Sequence, residues 1–166
     1  MESESTSLDL DETDLRILGQ LQKDASLSNQ DLAAVVHVSP ATCLRRVRRL
    51  VDEGVIVRRV ALLDPARLGG EMTVIAEVTL DRQGVEHLKT FQERAVAHAA
   101  IRHCYRVSPG PDFVLIASVG AMPAWAQVVD ELFTHDANVR NIKAYFVVEV
   151  AKRDTAVDLS RARDQG

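Results

Sequence analysis

Apolar positions along this chain follow two periodicities, helical in the first third and mostly alternating after it. Behind Asp11 and Asp14, Leu15, Leu18 and Leu21 recur at helical spacing and give one apolar face. Ser28 followed by Asp31 has the form of a capping box, in which the hydroxyl takes an orphan backbone N–H and the carboxylate reaches back. Leu32, Val35 and Val36 then support a short second helix, and His37-Val38 makes a tight connection. Ser39-Pro40 restarts the chain as a third helix over residues 39–53, with serine as N-cap and proline at the first helical position. Its apolar positions are read as Leu44, Val47, Leu50 and Val51, and it ends before Gly54. The β-branched run over residues 55–62 predicts a wing strand or hairpin.

Beyond a Gly- and Pro-containing linker the alternation takes over. Val74, Ala76, Val78 and Leu80 interleave with Thr73, Glu77 and Thr79 as a half-buried strand requires. A helix is expected over residues 84–97, with Val85, Leu88, Phe91 and Ala95 on one face. Strands near 101–107 and 113–119 are joined by the turn Ser108-Pro109-Gly110-Pro111. Pro123 opens a helix with the apolar stripe Trp125, Val128, Val129, Leu132 and Phe133, and a last strand is expected over 139–150. The order β-α-β-β-α-β is that of a ferredoxin-like domain, a four-stranded antiparallel sheet with both helices on one face. Ile75 falls on the opposite face from Val74, Ala76 and Val78, so the uncovered side is also apolar, and such a face suits a partner subunit. The fold class is therefore α+β. Its expected parts are a three-helix domain with a wing over residues 8–63, a hinge over 64–70, an assembly domain over 71–152 and a polar tail over 153–166.

Composition places the chain among folded proteins able to bury a core, with 46% hydrophobic and 27% charged residues in a length of 166. No apolar run approaches the ~20 residues of a membrane helix. The acidic start MESEST lacks the basic and apolar regions of a signal peptide, so a cytoplasmic location is expected. Cys43 and Cys104 are the only cysteines, too few for a disulfide scaffold and without metal-ligand spacing. They are read as reduced, partly buried thiols. No metal or cofactor is expected.

Charge distribution changes this picture more than net charge does. The chain carries −4 overall, yet residues 39–60 hold Arg45, Arg46, Arg48, Arg49, Arg58 and Arg59 against only Asp52 and Glu53. The compensating acids Glu2, Glu4, Asp9, Asp11, Glu12 and Asp14 are at the N-terminus. A local basic surface on an acidic protein is an anion-binding surface. On a helical wheel Thr42, Arg45, Arg46 and Arg49 are assigned to one outward face, opposite Leu44, Val47 and Leu50. Guanidinium groups serve both guanine edges and phosphates. Residues at the start of such a helix, Ala41 and Thr42, are the ones expected to reach base edges deepest, with Ser39 beside them on the DNA-binding surface. A charge run by itself is usually a solvated face. Its coincidence with a capped short helix, a tight turn, a Ser-Pro restart and a basic wing favours double-stranded DNA as the partner.

These residues resemble the leucine-responsive regulatory protein/AsnC ("feast/famine") family of transcription regulators. The matching stretches are LDETDLRIL from Leu10, SNQDLA from Ser28, VSPATCLRRVRRL from Val38 and EGVI from Glu53, with LDP and LG in the linker. The resemblance implies a winged helix-turn-helix, a hinge and a C-terminal ligand-sensing domain, assembled into dimers through the sheets and often further into octamers. It also implies a small-molecule effector, often an amino acid, held near a Thr-Gly-Asp-x-Asp turn between the second and third strands. Here that turn reads Ser108-Pro109-Gly110-Pro111-Asp112, so only Ser108, Gly110 and Asp112 carry over as effector-site candidates. Pro109 removes a backbone donor. Ile142 and Ala144 stand where the family often has threonines, which implies a different or less polar effector, or none.

A competing reading comes from another class. Some siroheme decarboxylases resemble the same family and use histidine motifs in this domain, which makes His103 and Tyr105 of interest. The aromatic run those enzymes carry after the turn is absent, and Asp112-Phe113-Val114-Leu115 reads as an ordinary regulator strand. No Ser/His/Asp set, paired carboxylates or phosphate loop stands out, so no catalytic residues and no enzyme activity are expected.

Overall fold

The computed structural model describes residues 9–134 and 138–160. Glu2 and Glu4 of the acidic N-terminus, and the last six positions of the expected tail, lie outside the described residues. The chain divides into two compact units, one of residues up to Leu62 together with those from Arg153 onward, the other of residues 63–152.

The first unit contains three helices, α1 (Glu12–Lys23), α2 (Asn29–Val35) and α3 (Pro40–Asp52). Each starts on a side-chain cap. Asp11 accepts the Asp14 N–H at 2.9 Å, and the Asp14 carboxylate accepts the Asp11 N–H at 3.3 Å, a complete capping box. The box expected at Ser28 is only half made. Ser28 Oγ accepts the Asp31 N–H at 3.2 Å, but the Asp31 carboxylate takes the Ser28 hydroxyl at 2.6 Å instead of a backbone group. Ser39 caps α3 by accepting the Thr42 N–H at 3.2 Å, with Pro40 at the first helical position.

The connection between α2 and α3 is fixed by its own backbone. The His37 N–H donates to Ala34 O at 3.3 Å and the Val38 N–H to Ala33 O at 3.0 Å, the paired bonds of a Schellman ending. This ending places His37 at φ 58, in left-handed backbone usually given to glycine. The Asn29 side chain donates to Pro40 O at 2.9 Å and joins the start of α2 to the start of α3. Ile17, Leu18, Leu32, Ala33, Val36, Cys43 and Leu50 form the buried core between the helices.

One expectation for this unit is corrected and one is sharpened. Residues 55–62 form no strand, because none of the described residues in the unit offers a ladder partner; only the Ile56 N–H returns, to Leu50 O at 2.9 Å. The polar tail expected over 153–166 is docked at Leu159, which packs on the helical core.

The second unit contains β1 (Met72–Leu80), α4 (Val85–Ala97), β2 (Ile101–Arg106), β3 (Phe113–Val119), α5 (Met122–Val129) and β4 (Val139–Phe146). The sheet is antiparallel in the order β2-β3-β1-β4, the ferredoxin-like arrangement. One face buries Val74, Ala76, Val78 and Leu80 with Phe113, Leu115 and Ala117 against Leu88, Phe91 and Ala95 of α4 and Trp125 and Val128 of α5. A π-helical turn over Asp130–Thr134 continues α5 and keeps Leu132 and Phe133 in this core. The expected stripe of α4 is one residue too long, because Val85 at its start is exposed. The last strand ends at Phe146, four residues before the expected end. The Val147 N–H still donates to Thr73 O at 3.0 Å, but the paired register with β1 ends at Val74–Phe146 and Val148 is fully exposed.

Among the described residues of this unit, no element covers the other sheet face. Register places His103, Ile116, Ile75 and Tyr145 in one cross-strand row and Tyr105, Val114, Glu77 and Lys143 in the next. Tyr105 and Tyr145 are each about half exposed, at 49% and 50%.

Candidate nucleic-acid interface

The sequence pattern set the phase of α3 wrongly, and the burial of its side chains shows by how much. Cys43 and Leu50 are fully buried, Val47 is half-buried, and Leu44 and Val51 are exposed at 40% and 46%. At 100° per residue the inward direction therefore runs through Cys43, Val47 and Leu50. The opposite face holds Ala41, Arg45 and Arg48, all exposed. Arg48 is absent from the sequence-derived set, yet it lies one turn from Arg45 on that face.

Arg46 and Arg49 do not share the outward face assigned to them. Arg46 Nη1 donates to Asp14 Oδ1 at 2.9 Å and to Asp11 Oδ2 at 2.6 Å. Arg49 Nη2 donates to Asp14 Oδ2 at 2.5 Å, and its Nε is 3.7 Å from Glu53 Oε2. Asp14 is the one fully buried charged residue among those described, and Arg46 retains only 19% side-chain exposure. The physical reason is electrostatic. A carboxylate inside a helical core must be paired, and two arginines on the adjoining flank of α3 supply both partners. The signal was present in the sequence: Asp14 falls on the apolar stripe of α1 with Ile17, Leu18 and Leu21, and Arg46 on that of α3 with Cys43, Val47 and Leu50.

The charges of this cluster reinforce one another. Burial raises the Asp11 carboxyl, but the Asp14 N–H and the Arg46 guanidinium outweigh it and hold Asp11 below the usual carboxylate value. The hydrogen bonds from Arg46 to Asp11 and then Asp14 raise the guanidinium above its ordinary value. The cluster joins α1 to α3 and fixes which side of α3 looks outward.

The other predicted residues fall in two places. Ser39 and Thr42 stand at the start of α3 with their hydroxyls joined at 2.8 Å, beside exposed Ala41. Arg58 and Arg59 are exposed in the extended segment after α3.

In the second unit, the turn after β2 carries exposed Ser108, Gly110 at φ 119 and half-buried Asp112, with a cis Ser108–Pro109 peptide. Asp112 Oδ2 accepts the Leu80 N–H at 2.7 Å and the Gln83 side chain at 3.3 Å, and the Asp112 N–H donates to Val78 O at 2.9 Å. Asp112 thereby holds the turn to the end of β1. Ile142 and Ala144 pack against the helix-side core. His103 and Tyr105 stack on the exposed side of β2, with ring centroids 5.8 Å apart. Among the described residues no group of three His, Cys, Asp or Glu side chains is placed to hold a metal ion, and no helix is long and apolar enough to cross a membrane.

A capped helix-turn-helix with an exposed basic face, on one chain with a ferredoxin-like domain, defines a DNA-binding transcription regulator with a separate ligand-binding domain. Residues 10–57 match the winged helix-turn-helix DNA-binding family and residues 73–157 match the Lrp/AsnC ligand binding domain. The chain belongs to the Lrp/AsnC family of transcription regulators. It is 35% identical to the leucine-responsive regulatory protein of Escherichia coli (strain K12) over 145 residues, 87% of this chain and 88% of that one. The structure is similar to an AsnC family transcriptional regulator from Agrobacterium tumefaciens, with a TM-score of 0.85 and 31% identity over 91% of this chain and 98% of that one. It is also similar to a transcriptional regulator from Neisseria meningitidis in complex with L-Met, with a TM-score of 0.84 and 29% identity over 92% of this chain and 98% of that one.

Proposed function

We propose that this regulator reads duplex DNA with the exposed face of α3, where Arg45 and Arg48 reach bases or phosphates. Ala41 and Thr42 enter the groove at the helix start, beside the Ser39 cap. Arg58 and Arg59 contact flanking phosphates. The observation that carries this reading is the separation of the arginines of α3: Arg46 and Arg49 are committed to Asp14, whereas Arg45 and Arg48 face solvent. A side chain already paired with a buried carboxylate is a poor phosphate ligand, since leaving it would strand that charge.

The functional unit is a homodimer joined through the open sheet face, with octamers as its further assembly. The mixed apolar and tyrosine rows around Ile75 and Ile116 support this, since such a face is costly to leave in water. Two α3 helices then meet half-sites about one helical turn apart. The effector is a small molecule such as an amino acid, bound beside Ser108, Gly110 and Asp112, a reading supported by the L-Met complex of the Neisseria meningitidis regulator. The protein acts in the cytoplasm, and we assign no catalytic step to it, since the relatives named above are transcription regulators.

The test of the effector reading uses Trp125, the single tryptophan of the chain, which is buried in the core of the second unit. L-methionine at saturating concentration raises the melting temperature followed by Trp125 fluorescence, and Gly110→Leu abolishes the rise. An unchanged melt with methionine, and equally with the other amino acids, would remove the amino-acid effector from the account.

A further inference from the structure

The chain leaves the first unit at Leu62 and returns to it at Arg153, so the ligand-binding unit is spliced into the DNA-binding unit at both ends. The returning segment is built in by specific contacts. Val157 is held through both backbone groups by one side chain: Gln22 Nε2 donates to Val157 O at 3.1 Å, and the Val157 N–H donates to Gln22 Oε1 at 2.6 Å. Leu159 packs against the core of Ile17, Leu18 and Leu50, and its Cδ1 is 3.7 Å from where a Cβ on Gly19 would stand. Asp154 accepts the Ala156 N–H and Asp158 the Ser160 N–H, each at 2.9 Å, so the segment is braced on either side of Val157. It lines a groove of ≈ 940 Å³ together with Leu18, Leu21, Val55 and Ile56.

Residue 157 is also where the match to the ligand binding domain ends, although residues from Arg153 onward belong structurally to the DNA-binding unit. The surface they grip is α1. That helix carries Asp14, the anchor of Arg46 and Arg49, one turn before Leu18 and two turns before Gln22. One helix thus holds the recognition helix near its start and the returning strap near its end.

We propose that residues 155–160 are a second tether by which the ligand-binding unit sets α1, and through Asp14 the recognition helix, with Gln22 and Leu159 as positioning residues for DNA binding. A ligand-induced shift at the end of β4 has a covalent path to α1 through this strap, in addition to the path through the hinge before β1. The proposal rests on the reading of α3 as the DNA-contacting helix, and the exchange readout below is independent of that reading.

The experiment compares Gln22→Ala, Leu159→Asp and the conservative Leu159→Met in the full chain. Three quantities are read: backbone hydrogen exchange along α1, affinity for a duplex selected from a random pool by the wild-type protein, and the Trp125 fluorescence melt. The expected result for Gln22→Ala and Leu159→Asp is α1 exchange faster by roughly tenfold and affinity per folded molecule lower by roughly tenfold. The Trp125 melt stays unchanged, and Leu159→Met behaves as wild type. Exchange and affinity within twofold of wild type in both variants overturn the tether. A lower melting temperature with unchanged affinity per folded molecule also overturns it, because the strap is then only structural. Faster exchange and weaker binding, combined with an Arg45→Ala/Arg48→Ala protein that binds normally, would retain the tether and reject the α3 reading.

Discussion

Arg46 donates from Nη1 to Oδ1 of Asp14 at 2.9 Å, a bond from the flank of the recognition helix into a carboxylate with no solvent exposure. Its consequence is a division of labour within the Arg-Arg-Val-Arg-Arg run. Arg46 and Arg49, on the flank facing α1, hold α3 to that helix, and Arg45 and Arg48 remain for the partner.

Replacing Asp14 with alanine should therefore act on stability first. The substitution strands two arginines beside a helical core and removes half of a capping box, and breaking one side of a buried ion pair costs about 3–5 kcal/mol. Urea unfolding followed by helical circular dichroism should show this loss, while the Trp125 fluorescence transition of the second unit keeps its midpoint. Loss of under about 0.5 kcal/mol would mean that Asp14 is not an anchor.

The same cluster gives a pH dependence. Asp11 is held below its usual value, so its contribution is fully present above the unfolded value of 3.8 and is lost as pH falls through the lower folded value. Wild-type protein should lose helical stability more steeply than Asp11→Asn as pH drops below about 4, with the two curves parallel at neutral pH. Identical acid limbs would show that Asp11 gains nothing from Arg46. The effect is expected to be small, since half of the Asp11 side chain is exposed.

The connection between α2 and α3 offers a gain rather than a loss. His37 sits at φ 58 inside a Schellman ending, where a side chain with a Cβ is disfavoured. Exchanging it for glycine relieves that cost and loses some of it back to the unfolded chain, for a net stabilisation of about 0.5–1 kcal/mol. The melting temperature of the first unit should rise. A fall would show that the imidazole makes a contact worth more than the backbone strain.

Much of this architecture is legible in the sequence because its signals are local. Ser39-Pro40 marks the start of α3 and Gly54 its end, and the alternation of Val74, Ala76, Val78 and Leu80 marks the covered face of β1. The phase of α3 is not local. A helix rich in both leucine and arginine fits two wheels that share Val47 and Leu50 and differ by about 45°, and the acid on the facing helix favours Cys43 over Leu44 as the inward side. Residues 55–62 read as a strand because their side chains favour one, but a strand exists only where another edge receives it. The strap at Val157 and Leu159 depends on Gln22, far away along the chain, and its polar composition gave no sign of a docking site.

The division of labour among the arginines has one direct measurement. Duplex affinity, for a site selected with the wild-type protein, is followed across salt concentration for Arg45→Ala, Arg48→Ala and Arg46→Ala, beside the melting temperature of each. Arg45→Ala and Arg48→Ala should melt like wild type, lose about 1–3 kcal/mol of binding each, and reduce the salt slope by about 1 per lost phosphate contact. Arg46→Ala should instead lower the melting temperature, with a salt slope unchanged once the unfolded fraction is removed. Arg45 and Arg48 variants that bind with wild-type affinity and slope, beside an Arg46 variant that melts normally but loses the slope, would contradict the account.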